Sequence, residues 1–184
     1  MITRISFLGK LAAASAVLTL IGTAPATHAA DSTNGFSKPT IDIGIVARDV
    51  EKSAKFYSEV VGLKEIKGFS AAPEFGKKIG LVDNHPINVR VFVTEEIEGA
   101  TRIKLMSFPA AGGKLADRSY IHSTLGFSYL TLYVKDVNEA LARLKKADLK
   151  PLGETPVSLG GKTQLLVVRD PDGNFIELIG PAKD

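Results

Sequence analysis

The feature that most constrains this chain is that it repeats itself. Residues 41–108 carry the hydropathy signature of a strand, a helix and three further strands, and residues 127–179 carry the same order again. In the first copy Ile41, Ile43 and Ile45 alternate with Asp42, Gly44 and Val46, the period-two pattern of a strand with one packed face. Asp49 then caps a helix over 50–60 in which Ala54, Tyr57 and Val61 recur at helical spacing, and Gly62 supplies the stop. Strands follow at 63–69, 88–94 and 102–108. The second copy has a strand at 127–134, Asp136 as cap and a helix at 137–147, with Val137, Ala140, Leu141 and Leu144 on one face. A proline-bounded strand at 151–156 follows, then strands at 163–168 and, after the Asp172-Gly173 turn, at 174–179. Laying Asp49 on Asp136, an offset of 87, matches Ile43 with Leu130, Ile45 with Leu132, Val50 with Val137 and Ala54 with Leu141. Apolar positions fall on apolar positions throughout.

The N-terminal residues are of another kind. Arg4 and Lys10 precede an apolar run over 11–22 and a small-residue stretch over 23–30, the pattern of a secretory signal peptide, with Thr27-His28-Ala29 suited to cleavage. The run is too short to span a bilayer, which takes about 20 residues. Export to the periplasm or the extracellular space is therefore expected, with 1–29 as signal peptide, 30–39 as a flexible polar linker and 40–181 as one domain built from modules 40–110 and 126–181. Removing the leader takes two basic and no acidic residues, so the formal net charge falls from +3 to +1. No block of like charge remains, which argues against nucleic acid or, once the leader is gone, a membrane as partner. The chain has no cysteine, which excludes thiolate chemistry and a lipid-modified N-terminal cysteine, and leaves stability to packing alone.

Two β-α-β-β-β modules, the first opening IDIGIVARDVEKSAKFYSEVVGL and the second running from GFSYLTLYVKDVNEALARL to RDPDGNFIEL, resemble the vicinal oxygen chelate superfamily. That superfamily includes glyoxalase I, extradiol dioxygenases, fosfomycin-modifying enzymes and bleomycin-binding proteins. The resemblance covers residues 40–181 and implies an α+β fold of two tandem modules forming a curled-sheet cup with helices on the outside. It also implies a homodimer and up to four metal-ligand positions, on the first and last strand of each module. Those positions here are Asp42, Lys104, Tyr129 and Glu177, of which only Glu177 is the usual residue.

Strand alternation puts all four on the cup-lining face, together with Arg102, Met106, Tyr133 and Phe175. In the third strand of the first module Val89, Val91 and Val93 are assigned to the helices, leaving Arg90 and Phe92 toward the cup. Divalent metals of the zinc, nickel, iron or manganese type want imidazole or carboxylate ligands, normally three or more. The four positions offer two carboxylates, a phenol and an ammonium, so no metal cofactor is favoured; one held here would depend on Asp42 and Glu177. Lys104 is instead expected to stand where the cation would, between Asp42, Glu177 and Tyr129, and its loss to cost more than about 1 kcal/mol by leaving two carboxylates facing each other.

The leading expectation is thus an exported protein that binds a small organic ligand, an anion included, through Arg90, Phe92, Arg102, Lys104, Met106, Tyr133 and Phe175, with Arg90 and Arg102 as a candidate clamp. The alternative is a metal-dependent glyoxalase-like lyase, isomerase or dioxygenase, with Glu177 and Tyr129 as catalytic groups and His85 or His122 as a mobile base. A third class, a structural or interaction module, remains because fold does not fix function.

Overall fold

The computed structural model describes residues 35–183. The leader expected over 1–29 and residues 30–34 of the expected linker lie outside the described residues, and residues 35–39 are exposed and form neither helix nor strand. The first module comprises β1 (Ile43–Val46), α1 (Val50–Lys55) continued as a π-helical segment (Phe56–Val61), β2 (Lys64–Ala71), α2 (Pro73–Lys78), β3 (Ile87–Val93) and β4 (Arg102–Met106). The second comprises β5 (Tyr129–Tyr133), α3 (Val137–Lys146), β6 (Val157–Gly160), β7 (Thr163–Arg169) and β8 (Phe175–Pro181).

Each module makes one four-stranded sheet, ordered β1-β4-β3-β2 and β5-β8-β7-β6. In both, the first strand runs parallel to the last and the remaining pairs are antiparallel. The duplication seen in the sequence is therefore a duplication of topology. The two caps are also equivalent: Asp49 accepts from the Lys52 amide at 3.0 Å and Asp136 from the Asn138 amide at 2.9 Å.

The helices cover one face of each sheet and meet each other there. Tyr57, Val60 and Val61 of the first module and Val137, Ala140 and Leu144 of α3 join Leu105, Leu166, Ile176 and Leu178 from both sheets in a single buried cluster. Polar links cross between the modules as well. Tyr57 donates its hydroxyl to Asp170 at 3.0 Å, the Arg48 amide donates to the Asp172 carboxylate at 3.2 Å, and the Arg143 guanidinium donates to the carbonyls of Val60 and Val61 at 3.0 and 3.1 Å. Those carbonyls end the π-helical segment, where a helix runs out of its own donors, so Arg143 satisfies groups that burial would otherwise leave unpaired.

Two elements differ from expectation. The strand expected over 151–156 begins instead at Val157. Pro151 and Pro156 have no amide hydrogen to give a ladder, so although the Leu152 amide donates to the Val167 carbonyl of β7 at 2.8 Å, the regular ladder with β7 starts past the second proline. Helix α2 was not anticipated: it has six residues, of which only Gly76 is buried, too few to create a helical periodicity in the sequence. No helix among the described residues is long and apolar enough to cross a membrane.

Candidate functional site

The face of each sheet turned away from α1 and α3 is open in part, with Ile87, Val89 and Val91 of the first sheet covered by Val82 and Phe108, and the residues on it follow from register. In the first module β1 pairs Gly44 with Lys104 and Val46 with Met106, so that Gly44, Val46, Lys104 and Met106 share this face; alternation adds Asp42 at the entry to β1 and Arg102 at the start of β4. In the second, Tyr129 pairs with Phe175, Thr131 with Glu177 and Tyr133 with Ile179. Val46, Phe69, Tyr129 and Tyr133 are 61, 52, 56 and 81 % exposed, so the two faces present apolar and aromatic surface near the family positions.

Lys104 meets Asp42, with Nζ 2.8 Å from Oδ2 and both side chains 27 % exposed. The ammonium also lies 5.8 Å from the centroid of the Phe69 ring. Hydrogen bonding to Lys104 holds the Asp42 carboxyl below its ordinary range, against an opposing effect of burial and with a further contribution from the charge of Arg102. Glu177 is engaged differently: it accepts a hydrogen bond from the Thr131 hydroxyl at 2.6 Å. The expectation that Lys104 bridges Asp42 and Glu177 is corrected accordingly, since among the described residues no ion pair joins Lys104 to Glu177. Neutral hydroxyl and carboxylate satisfy each other across β5 and β8 within one module, whereas Lys104 and Glu177 belong to different sheets.

Arg90 and Phe92 occupy the opposite face from the one expected. Register pairs Arg90 with Leu105 and Phe92 with Ile103, both helix-facing, and Val91 with Lys104. Phe92 is fully buried, its ring 6.5 Å from that of Tyr57. Arg90 reaches past the sheet to Glu65 through two bonds of 2.7 Å and to Glu51 on α1 at 2.6 Å. These contacts raise the Arg90 pKa further and hold the Glu65 carboxyl low, with the Glu65–Arg90 hydrogen bonds as the main cause of both. Arg90 and Arg102 thus form no clamp: they lie on opposite faces, with Arg102 exposed. The valines supply the other side, where Ile87, Val89 and Val91 make a small second cluster under Ile66, Val82, Met106 and Phe108.

Phe175 is 8 % exposed because the Arg169 guanidinium covers its ring at 4.8 Å. Arg169 in turn donates to the Ser119 carbonyl at 3.0 Å, tying the inter-module connection to β7. His122 belongs to that connection and stacks on Tyr120, rings 5.5 Å apart and nearly parallel. His85 borders a pocket beside Val46 and Phe108.

Sequence reasoning missed Asp170. Only 5 % exposed, it accepts from the amides of Asp172 and Asn174, from the Asn174 side chain, and from Tyr57. The local signal was present in Asp170-Pro171-Asp172-Gly173-Asn174, a stretch in which the first aspartate can bond its own turn, but nothing local points to Tyr57. Burial foremost, and then the neighbouring Asp170 charge, push the Tyr57 phenol up, so it stays a donor.

Residues 41–178 match the family model described as the Glyoxalase/Bleomycin resistance protein/Dioxygenase superfamily. The chain belongs to that superfamily. No curated protein matches it. Among solved structures, a glyoxalase family protein from Bacillus cereus shares 22 % identity with a TM-score of 0.66, covering 83 % of this chain and 99 % of that one. The trypanothione-dependent glyoxalase I of Leishmania major shares 22 % identity with a TM-score of 0.52, covering 78 and 87 % of the two chains. TnmS3, an antibiotic-binding protein from a Streptomyces species, shares 20 % identity with a TM-score of 0.51 over 78 and 95 %. At these identities the likeness is one of fold.

Some members of this superfamily use a divalent metal, and the donor set here can be tested for one. Of the four positions, Lys104 presents a cation, Asp42 is already bonded to it, and Tyr129 is a phenol, a weak ligand at neutral pH. Among the described residues no group of three or more histidine, cysteine, aspartate or glutamate side chains is arranged to hold a metal. The residues present do not fit the usual site.

Proposed function

We propose that this superfamily member is an exported binding protein that takes a small organic anion on its open sheet faces, with the Lys104 ammonium serving where relatives place a metal. The observation that carries the reading is the Lys104–Asp42 pair at two of the four family positions. A ligand carboxylate approaching Lys104 would compete with Asp42 for an ammonium that is only partly buried, an exchange of one charge-assisted bond for another. Met106, Tyr129 and Tyr133 offer the apolar and aromatic contacts expected of a small-molecule site.

The open faces also favour a homodimer, because exposed Phe69, Tyr129 and Tyr133 would be covered if two copies brought their faces together. Light scattering on the purified protein checks this, with a mass of twice the chain expected.

Binding is tested by thermal shift against a panel of organic acids, alongside elemental analysis after loading with zinc, nickel, manganese and iron. The expected result is a shift by at least one acid, lost in Lys104→Met, with no stoichiometric metal. Stoichiometric metal retained by the wild type would replace this reading with a metal-dependent lyase, isomerase or dioxygenase, in which Glu177 is the available carboxylate.

A further inference from the structure

A second site is built beside the open face without any of the four family positions. A pocket of about 550 Å³ is lined by Val46, Leu81, Val82, Phe108 and Ala111, with His85 and Asp83 as its only ionisable groups. Its volume lies in the range of small-molecule sites. Three separate elements contribute: Val46 from the end of β1, the loop between α2 and β3, and the turn that follows β4. Phe108 and Val82 also pack on the buried cluster of Ile87, Val89 and Val91, so the wall of the pocket is anchored to the sheet.

The imidazole is held in place. The His85 ring meets the Phe108 ring edge-on, with centroids 6.3 Å apart, and Nε2 lies 3.4 Å from Asp83 Oδ1. The His85 side chain is 27 % exposed, whereas Asp83 is 94 % exposed and turns its charge to water, where it is screened. The other lining residues, from β1 and from the turn after β4, carry no charge. The pocket therefore combines an aromatic and aliphatic wall with one imidazole whose second nitrogen forms no hydrogen bond among the described residues.

We infer that this pocket binds a small aromatic molecule carrying one acidic group, the ring against Phe108, Val46 and Leu81 and the acidic group at the His85 imidazole. The inference goes beyond the Lys104 reading and does not depend on it. An imidazole accepts a neutral acidic hydroxyl when uncharged and donates to an anion when protonated, so a permanently anionic ligand binds more tightly as pH falls. Asp83, the one carboxylate paired with the ring among the described residues, competes modestly with the ligand for the imidazole.

The test uses two fluorescent probes on the purified protein: 1-anilinonaphthalene-8-sulfonate, anionic throughout, and the neutral N-phenyl-1-naphthylamine. One charge-assisted hydrogen bond gives the anionic probe roughly tenfold tighter binding at pH 5.5 than at pH 8, while the neutral probe is unaffected. His85→Phe is expected to abolish the pH dependence and keep the neutral probe; Ala111→Trp, which fills the pocket, to lose both. His122→Phe controls for the other imidazole and leaves the pH dependence intact. Unchanged pH dependence in His85→Phe, or unchanged binding in Ala111→Trp, overturns the assignment. Loss of the anionic probe in Lys104→Met but not in Ala111→Trp places the probe on the Lys104 face and overturns it equally.

Discussion

Lys104 and Tyr57 show how differently one polar side chain can matter at the residue scale. The Lys104–Asp42 pair is partly exposed, so Lys104→Ala should cost only about 0.5–1 kcal/mol in chemical denaturation, less than a lysine shared between two carboxylates would give. Because Lys104 depresses the folded pKa of Asp42, that stabilisation is full above the unfolded carboxyl value and disappears as pH falls through the lower folded one. The variant should therefore show a shallower loss of stability in acid than the wild type. Tyr57 works in the other direction. Its folded pKa is raised, so its contribution is full below about pH 10 and is lost as pH climbs. An alkaline absorbance titration should find Tyr57 ionising only as the protein unfolds. Tyr57→Phe should cost about 1–2 kcal/mol, since Asp170 keeps its other donors.

Among the elements, two strand glycines carry the sharpest steric demands. The β2–β3 register shifts between Ile66 and Phe69, and a Cβ on Gly68 would lie 2.0 Å from the Val89 carbonyl oxygen. On β8 a Cβ on Gly180 would lie 2.2 Å from the Val134 carbonyl oxygen. Backbone cannot step aside as a side chain can, so Gly68→Ala and Gly180→Ala should each cost about 2 kcal/mol or more in thermal unfolding, whereas Gly113→Ala, with nothing nearby, should be close to neutral. Most elements were legible because their two faces differ in polarity: in β1, β4, β5 and β8 alternation alone assigned the residues correctly. Strand β3 was not, because valines line one side and a phenylalanine with an arginine the other. Both sides are apolar along their stems, and the guanidinium can be carried to the edge of the sheet, so local pattern does not say which is inside.

For the whole molecule, the consequence of helices meeting between sheets is one core for two modules. Leu144 of α3 is fully buried in the cluster that also holds Tyr57 and Leu105 of the first module. Leu144→Ala should cost about 2–5 kcal/mol, and tyrosine fluorescence and far-ultraviolet circular dichroism should report one coincident transition before and after the change. Two separated transitions would show that the halves unfold independently and that the shared cluster does not couple them.

The sequence by itself determined the duplicated order of elements, the helix caps, the family and the face on which Asp42, Lys104, Tyr129 and Glu177 lie, because each follows from periodicities of two or 3.6 residues or from short motifs. Tertiary structure alone decided which groups those side chains meet. Lys104 found Asp42 at the entry to the neighbouring strand, Glu177 found Thr131, and Asp170 found Tyr57 more than a hundred residues away. A charge seeks the nearest compensating partner that the packed chain brings within about 3 Å, and that distance is set by sheet order and module docking, which no local pattern records.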